Sequence, residues 1–335
     1  MALGLGEDRD QVVRRLLAAE RVLIVTHARP DGDAVGSMAA LAGSATAAGK
    51  SARMLLPGEM PDRWGFLFPD GPPAGADDFA ALADEADLIV VVDTCALAQL
   101  DGLEAGLRRH REKTVVVDHH ATRDDVGAVQ WIDASAGAAG LLVGELIEAL
   151  HWPVTPAVAE ALLTAITTDT GWFRFSNTSG RCLRAAAKLL DAGVSPDELY
   201  ARLFESDRPE RLRLRTRALA SLRLHADGRI ATMCLRRSDF AETGARLDET
   251  ENFVNEALRM GCVEVALLLA ENPDCTRVSL RSRGAVDVSQ MARAFGGGGH
   301  ARAAGLRRTE DVDTLSRRLV DACAEALPPA GADGG

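Results

Sequence analysis

Val22-Leu23-Ile24-Val25-Thr26-His27-Ala28-Arg29-Pro30-Asp31-Gly32-Asp33 runs from an apolar strand pattern directly into polar chemistry. Val22 to Thr26 are mostly β-branched and apolar without alternation, as in a short strand buried on both faces. His27, Asp31 and Asp33 then fall in a turn that Pro30 stiffens and Gly32 permits, and a helical run, Ala34 to Ala48, follows at once. Open α/β sheets bind ligands at the C-terminal ends of their strands. One imidazole and two carboxylates within seven residues make a first set of metal ligands there. Asp33 equally fits the N-cap of the run from Ala34, and this stretch alone leaves capping and metal binding open.

The recurrence of the pattern tips that balance. Leu88 to Val92 runs straight into Asp93, and Thr114 to Val117 runs straight into Asp118-His119-His120. Three buried-type strands deliver Asp or His to one sheet edge. The helix expected over Leu103 to Arg111 between two of them gives the βαβ rhythm of a parallel sheet.

At 335 residues, 47% hydrophobic and 26% charged, the chain has the composition of a soluble globular protein with room for two domains. No segment approaches the roughly 18 apolar residues of a membrane span. Glu7, Asp8 and Asp10 make the N-terminus unlike a signal peptide, so a cytoplasmic location is expected. Six cysteines without a CxxC pair argue against zinc ribbons and disulfide frameworks. The net charge of −11 argues against a basic face that coats long nucleic acid, but it leaves small anionic substrates open, because bound divalent cations reverse the local sign. Only Lys50, Lys113 and Lys188 are lysines, and the remaining positive charge is Arg.

Gln11 to Ala19 reads as an amphipathic helix, Gly49 as a C-cap, and Ser51 to Leu56 as a second strand. Pro57 to Gly75, with Trp64, Phe66 and Phe68, reads as a surface loop of structural purpose. After Asp133 and the small-residue run Ala134 to Gly140, helices are expected over Leu141 to Leu150 and from Pro156 onward. The latter ends in Thr167-Thr168-Asp169-Thr170-Gly171, where an acid opposes the helix dipole and hints at a compensating cation.

Pro196 to Leu222 reads as two helices laden with Arg208, Arg211, Arg213, Arg215 and Arg217. Asp227-Gly228 marks a hairpin, followed by a helix over Asn252 to Met260 and paired strands over Val263 to Ala270 and Cys275 to Ser282. These features set out a smaller, mixed-sheet α/β domain. The expected organisation is 1–190 for the parallel-sheet domain, 191–214 for a helical linker, 215–327 for the second domain and 328–335 for a disordered tail. Within the second domain, Phe295-Gly296-Gly297-Gly298-Gly299-His300 follows a short helix. Such a run commonly makes a flexible turn. Here it lies near Arg281 and Arg283 and beside His300 and Arg302, and glycines let backbone N–H groups approach an anion, which favours phosphate binding.

The ordered set His27-x3-Asp31-x-Asp33, Asp93, Asp118-His119-His120, Asp169 and Gly-Gly-Gly-His ending at His300 resembles the DHH phosphoesterase family. The resemblance spans Val22 to about Leu306 and includes Phe253-Val254-Asn255-Glu256 and Val278-Ser279-Leu280-Arg281-Ser282. It is greatest to two-domain members, with a DHH-associated C-terminal domain, that act as oligoribonucleases (nanoRNases) and 3′-phosphoadenosine 5′-phosphate phosphatases. It implies an active site in the cleft between the domains. It also implies that His27, Asp31 and Asp93 hold one divalent ion and Asp33, Asp93, His119 and Asp169 a second, with Asp93 bridging. Mn²⁺ suits such carboxylate-rich sets, with Mg²⁺ or Co²⁺ as alternatives. Two ions about 3.5–4 Å apart generate a hydroxide for in-line attack at phosphorus. Asp118 would orient a neighbouring His, and His120 would face the substrate phosphate. Arg281, Gly298, Gly299 and His300 would grip a terminal or scissile phosphate.

The implied substrates are short RNA, linear or cyclic dinucleotides and 3′-phosphoadenosine 5′-phosphate, and the implied assembly is a homodimer. Sequence does not rank those substrates, and it assigns no base-stacking side chain, since Trp172 and Phe173 beside Asp169 fit a core role at least as well. A manganese-dependent inorganic pyrophosphatase shares the first domain's motifs but lacks the Gly-Gly-Gly-His element. A processive single-strand exonuclease usually carries a further oligonucleotide-binding domain. A catalytically silent nucleotide-binding regulator would require a lost ligand, and all six are present.

Overall fold

The computed structural model describes residues 2–121, 123–283 and 286–328. The chain divides into two compact units, one reaching to Glu205 and the other starting at Ser206. Beyond residue 328, the tail read as disordered lies outside the described residues.

The first unit comprises α1 (Ala2–Ala18), β1 (Arg21–Val25), α2 (Gly32–Ala47), β2 (Ser51–Leu55), α3 (Phe79–Glu85), β3 (Leu88–Val92), α4 (Glu104–Arg109), β4 (Thr114–Asp118), β5 (Val129–Ile132), α5 (Ala139–Leu150), α6 (Pro156–Asp169), α7 (Gly180–Asp191) and α8 (Pro196–Phe204). Its five strands are all parallel, in the order β2-β1-β3-β4-β5. Every residue of β3 and β4 is buried, because alternate side chains feed two cores. Val22, Ile24, Val90, Val92, Val115 and Val117 pack toward α1, α2, α5 and α6. Leu23, Val25, Ile89, Val91 and Val116 pack toward α3 and α4. Continuous Val/Ile/Leu runs follow from helices on both faces.

The chain passes from β1 to β2 on one side and then to β3 on the other. The topological switch point therefore lies between β1 and β3, where the C-terminal strand ends open a crevice. Helices α2 and α6 meet at close range: a Cβ at Gly36 would lie 2.5 Å from the Ala161 carbonyl oxygen, and one at Gly32 would lie 2.5 Å from Thr168. This contact brings the start of α2 beside the end of α6.

The second unit contains α9 (Pro209–Ala220), β6 (Arg223–His225), β7 (Ile230–Leu235), α10 (Arg237–Thr243), α11 (Val254–Ala257), β8 (Val265–Glu271), β9 (Thr276–Ser282), α12 (Val288–Ala294), β10 (Gly298–His300), β11 (Ala303–Arg308) and α13 (Val312–Ala326). Its sheet runs β10-β11-β9-β8-β7-β6 and is mixed, with β7 and β8 parallel and the other pairs antiparallel. The Asp227-Gly228 hairpin is present, with Ala226, Asp227 and Gly228 all at positive φ.

Several elements differ from the sequence reading. Helices α3, α7, α10 and α13 and strand β5 were not anticipated. The helix expected over Asn252–Met260 shrinks to Val254–Ala257, because Asn252 takes a left-handed φ of +68° and the chain turns again after Leu258. Pro57–Gly75 contains a 3₁₀ turn, Asp62–Leu67, whose Trp64 is buried in the first core beside Phe68. Of the span read as a linker, α8 buries Leu199 in the first unit, whereas α9 buries Leu214 and Ala218 in the second. No helix among the described residues is long and apolar enough to cross a membrane.

Candidate metal centre

The switch point gathers the polar residues that end the strands. His27 follows β1, Asp93 follows β3, and Asp118-His119-His120 closes β4. His27 Nε2 lies 3.4 Å from Asp93 Oδ2. From the helices come Asp31 and Asp33 at the start of α2 and Asp169 as the last residue of α6. Three groups each bring donor atoms within 4.8 Å of one another: His27, Asp31 and Asp93; Asp33, His119 and Asp169; and Asp93, Asp118, His119 and His120. All the sequence-derived candidates on the first unit thus converge.

His119 tests whether this arrangement suits a cation. Its Nδ1 lies 3.2 Å from the Ala136 carbonyl oxygen. A carbonyl only accepts, so Nδ1 carries a proton and Nε2 is the atom left to face the carboxylates. Around Nε2 stand Asp33 Oδ2 and Asp93 Oδ1 at 3.5 Å and Asp169 Oδ2 at 3.8 Å. His119 Nε2 and Asp93 Oδ1 are buried without a hydrogen-bond partner among the described residues. Four donors that converge without bonding one another, two of them orphaned and buried, fit a divalent cation.

The electrostatics agree. Burial pushes the Asp33 carboxyl well above its ordinary value, and the Asp93 charge adds to it. Burial likewise raises Asp169, with Asp93 and Asp31 adding to it against the pull of His119, to about 6. For Asp93 burial acts upward too, but His119 and His27 outweigh it and hold the group at about 2. The His119 imidazole, which burial alone would lower, is pushed up to about 10 by Asp93, Asp33 and Asp169. Negative charge thus accumulates faster than the protein's own cations offset it.

Asp31, not Asp33, is the N-cap of α2: its Oδ1 accepts from the amides of Asp33 and Ala34, both at 3.1 Å. Asp33 instead turns inward, where its carboxylate accepts from the amides of Ala139 at 2.6 Å and Gly140 at 2.8 Å, at the N-terminus of α5. Small residues at the start of α5 permit this approach, since a Cβ at Gly140 would collide with Ala165 at 2.3 Å and come within 3.4 Å of Asp33 Oδ1. Asp118 Oδ1 accepts from His120 Nδ1 at 2.8 Å and from the His119 amide at 2.7 Å, which fixes both histidines. The Asp118 hydrogen bond also raises the His120 pKa.

Sequence reasoning missed the residues that hold these ligands. Asn177 Nδ2 donates to the Asp169 carboxylate and main-chain carbonyl, each at 3.1 Å, and to the Gly137 carbonyl at 2.9 Å. Ser37 donates to Asp33 Oδ1 at 3.1 Å. Ser37 lies one helical turn beyond Asp33, a spacing that was legible; Asn177 sits in an irregular turn with no periodic signal.

In the second unit, Gly298 and Gly299 lie in the edge strand β10 and not in a loose turn. Arg281 pairs with Ala303, which pairs in turn with His300, so Arg281 and His300 occupy one row across three strands. Gly299 has a φ of +140°, and a Cβ there would lie 2.5 Å from the Ala304 Cα, whereas Gly298 has open space around it.

Residues 21–166 match the N-terminal domain of the DHH family, and residues 228–325 match the DHHA1 domain. The bifunctional oligoribonuclease and PAP phosphatase NrnA of Thermus thermophilus is 33% identical, over 92% of this chain and 91% of the relative. The protein of the same name from Bacillus subtilis is 25% identical, over 95% of this chain and 99% of the relative. A crystal structure of an exopolyphosphatase-related protein from Bacteroides fragilis shares the fold, with a TM-score of 0.90 at 23% identity, over 96% of this chain and 97% of the other. A switch-point cluster of His and Asp, joined to these matches along both units, establishes that the chain belongs to the DHH family of phosphoesterases, with a DHH domain followed by a DHHA1 domain.

Proposed function

We propose that the protein is a Mn²⁺-dependent phosphoesterase that hydrolyses short oligoribonucleotides and linear or cyclic dinucleotides to mononucleotides, and 3′-phosphoadenosine 5′-phosphate to AMP. The observation that carries this reading is the buried His119 Nε2, faced by three carboxylates and hydrogen-bonded to none of them. His27, Asp31 and Asp93 hold one divalent ion and Asp33, Asp93, His119 and Asp169 the other, with Asp93 shared. Such ions make water a competent nucleophile near neutral pH and offset charge on phosphoryl oxygens. Carboxylate-rich sets with one imidazole each favour Mn²⁺ over thiophilic metals.

The chain's own groups do the rest. Asp118 fixes the His120 ring through Nδ1 and holds its pKa up, so His120, with a side chain 38% exposed, presents an N–H to the phosphate. Arg281, His300 and the Gly298-Gly299 backbone hold the substrate's other phosphate. Full-length relatives named for oligoribonuclease and PAP phosphatase activity support this substrate class. A cytoplasmic homodimer completes the reading.

Mononucleotide release from ApA, pApA and cyclic di-AMP, and phosphate release from 3′-phosphoadenosine 5′-phosphate, are measured with Mn²⁺ and with EDTA. Turnover of at least one with Mn²⁺ and none with EDTA is expected. Turnover of inorganic pyrophosphate alone overturns the reading.

A further inference from the structure

The chain beyond Asp169 is unusual. Gly171, Trp172 and Phe173 are all left-handed, with φ of +57°, +57° and +63°. Two consecutive L residues in that region are unfavourable, and such strain persists only where surrounding contacts impose it. Trp172 N donates to the Thr167 carbonyl at 2.7 Å, and the amides of Arg174 and Phe175 both donate to the Thr170 carbonyl at 3.0 Å. The turn reverses the chain, so that Asn177 returns to Asp169.

The same turn sets Phe175 on the surface. It is 50% exposed, more than Tyr200 or Phe204, which pack on each other and on Trp172. Yet its ring is not loose. A Cβ on Gly171 would lie 2.4–2.6 Å from the ring tip, so the ring lies against the backbone two residues past Asp169, and a side chain at 171 would displace it. The Arg174 guanidinium lies 5.7 Å from the ring centroid and is itself tied to the Gly171 carbonyl at 2.9 Å. An exposed aromatic ring held against backbone and beside a cation, on the turn that follows a candidate metal ligand, has no packing purpose in the core.

We propose that Phe175, with Arg174 beside it, is the stacking platform for the nucleobase of the nucleotide bound at the metal centre, an inference that rests on the substrate class proposed above. Stacking reads the π face that every base possesses, so it suits a site that accepts mixed short sequences. A ring fixed before binding loses little freedom when the base arrives.

Titration calorimetry with AMP and with ribose 5-phosphate, in Mn²⁺, isolates the base. The unaltered protein is expected to bind AMP on the order of ten- to a hundredfold tighter than ribose 5-phosphate. Phe175→Ala and Phe175→Leu should close that gap and leave ribose 5-phosphate affinity unchanged, while Phe175→Trp should keep it. Equal weakening of both ligands in Phe175→Leu, a gap that survives Phe175→Ala, or no gap in the unaltered protein overturns the proposal. Failure of the proposed function has a different signature: no hydrolysis of any dinucleotide, with the AMP gap and its response to Phe175 intact.

Discussion

Asp93 meets three demands at once. It ends β3 in a left-handed conformation, φ +61°, it is buried, and its two oxygens face different histidines. Left-handed backbone is tolerated by Asp and Asn better than by other L residues. Asp93→Asn should therefore keep the fold while losing Mn²⁺ binding and hydrolysis together, whereas Asp93→Ala adds a backbone penalty of about 1–2 kcal/mol. Retention of a Mn²⁺-dependent rise in melting temperature by Asp93→Asn would remove Asp93 from the metal assignment.

A second residue-scale expectation concerns pH. Asp169 has a folded pKa of about 6, above its ordinary 3.8, so its contribution to stability is complete below 3.8 and is lost as pH rises through about 6. His119, raised from 6.5 to about 10, behaves alike: its contribution is complete below 6.5 and is lost as pH rises through about 10. Without metal the protein should thus lose stability as pH rises through these windows. A Mn²⁺ ion held by these groups, as proposed, would need them deprotonated. The gain in melting temperature on adding Mn²⁺ should be larger near pH 8 than near pH 5.5, and an equal gain at both would contradict this placement of the ion. These residues were legible because their types recur at three strand ends. Their protonation was not, since it depends on distances between residues as far apart as Asp33 and Asp169.

At the scale of elements, strands β1, β3 and β4 could be read from sequence because burial on both faces enforces unbroken Val/Ile/Leu runs. Edge strand β5, Val129–Ile132, mixes Gln130 and Trp131 and carries no such pattern. Helix α7, by contrast, carried a legible signal that the sequence reading passed over: Ser179 caps it, and Cys182, Ala186 and Leu189 recur at helical spacing on its buried face. The contact of α2 with α6 was also invisible, although it sets how close Asp33 and Asp169 come. Gly36 is the point at which backbone meets backbone, since a Cβ there would lie 2.5 Å from a carbonyl oxygen that has little room to move. Gly36→Leu should force the helices apart, cost about 1–3 kcal/mol and weaken Mn²⁺ binding, although the residue touches no ligand. Denaturant melts and Mn²⁺ titration of that variant check both parts; lost stability with unchanged Mn²⁺ affinity would show that the helix contact does not tune the site.

For the whole molecule, charge and the two units bear on substrate length. With a net charge of −11, a long nucleic acid gains little from added phosphates, since binding through counterion release needs basic contacts along the strand. If the DHH unit cuts at one phosphate and Arg281 and His300 hold another, affinity saturates once both are filled. Dinucleotides should then be hydrolysed far faster than twenty-mers. Each charge-assisted contact is worth roughly 1.5–3 kcal/mol, so Arg281→Ala should lower kcat/KM on dinucleotides on the order of ten- to a hundredfold. It should leave the Mn²⁺-dependent rise in melting temperature unchanged, because Arg281 belongs to the second unit and the candidate metal ligands belong to the first. It should also narrow the preference for short chains, as the lost contact is the one that rewards them. Equal rates on two and twenty nucleotides in the unaltered protein would refute the grip, and the Gly298–His300 strand would then be an ordinary sheet edge.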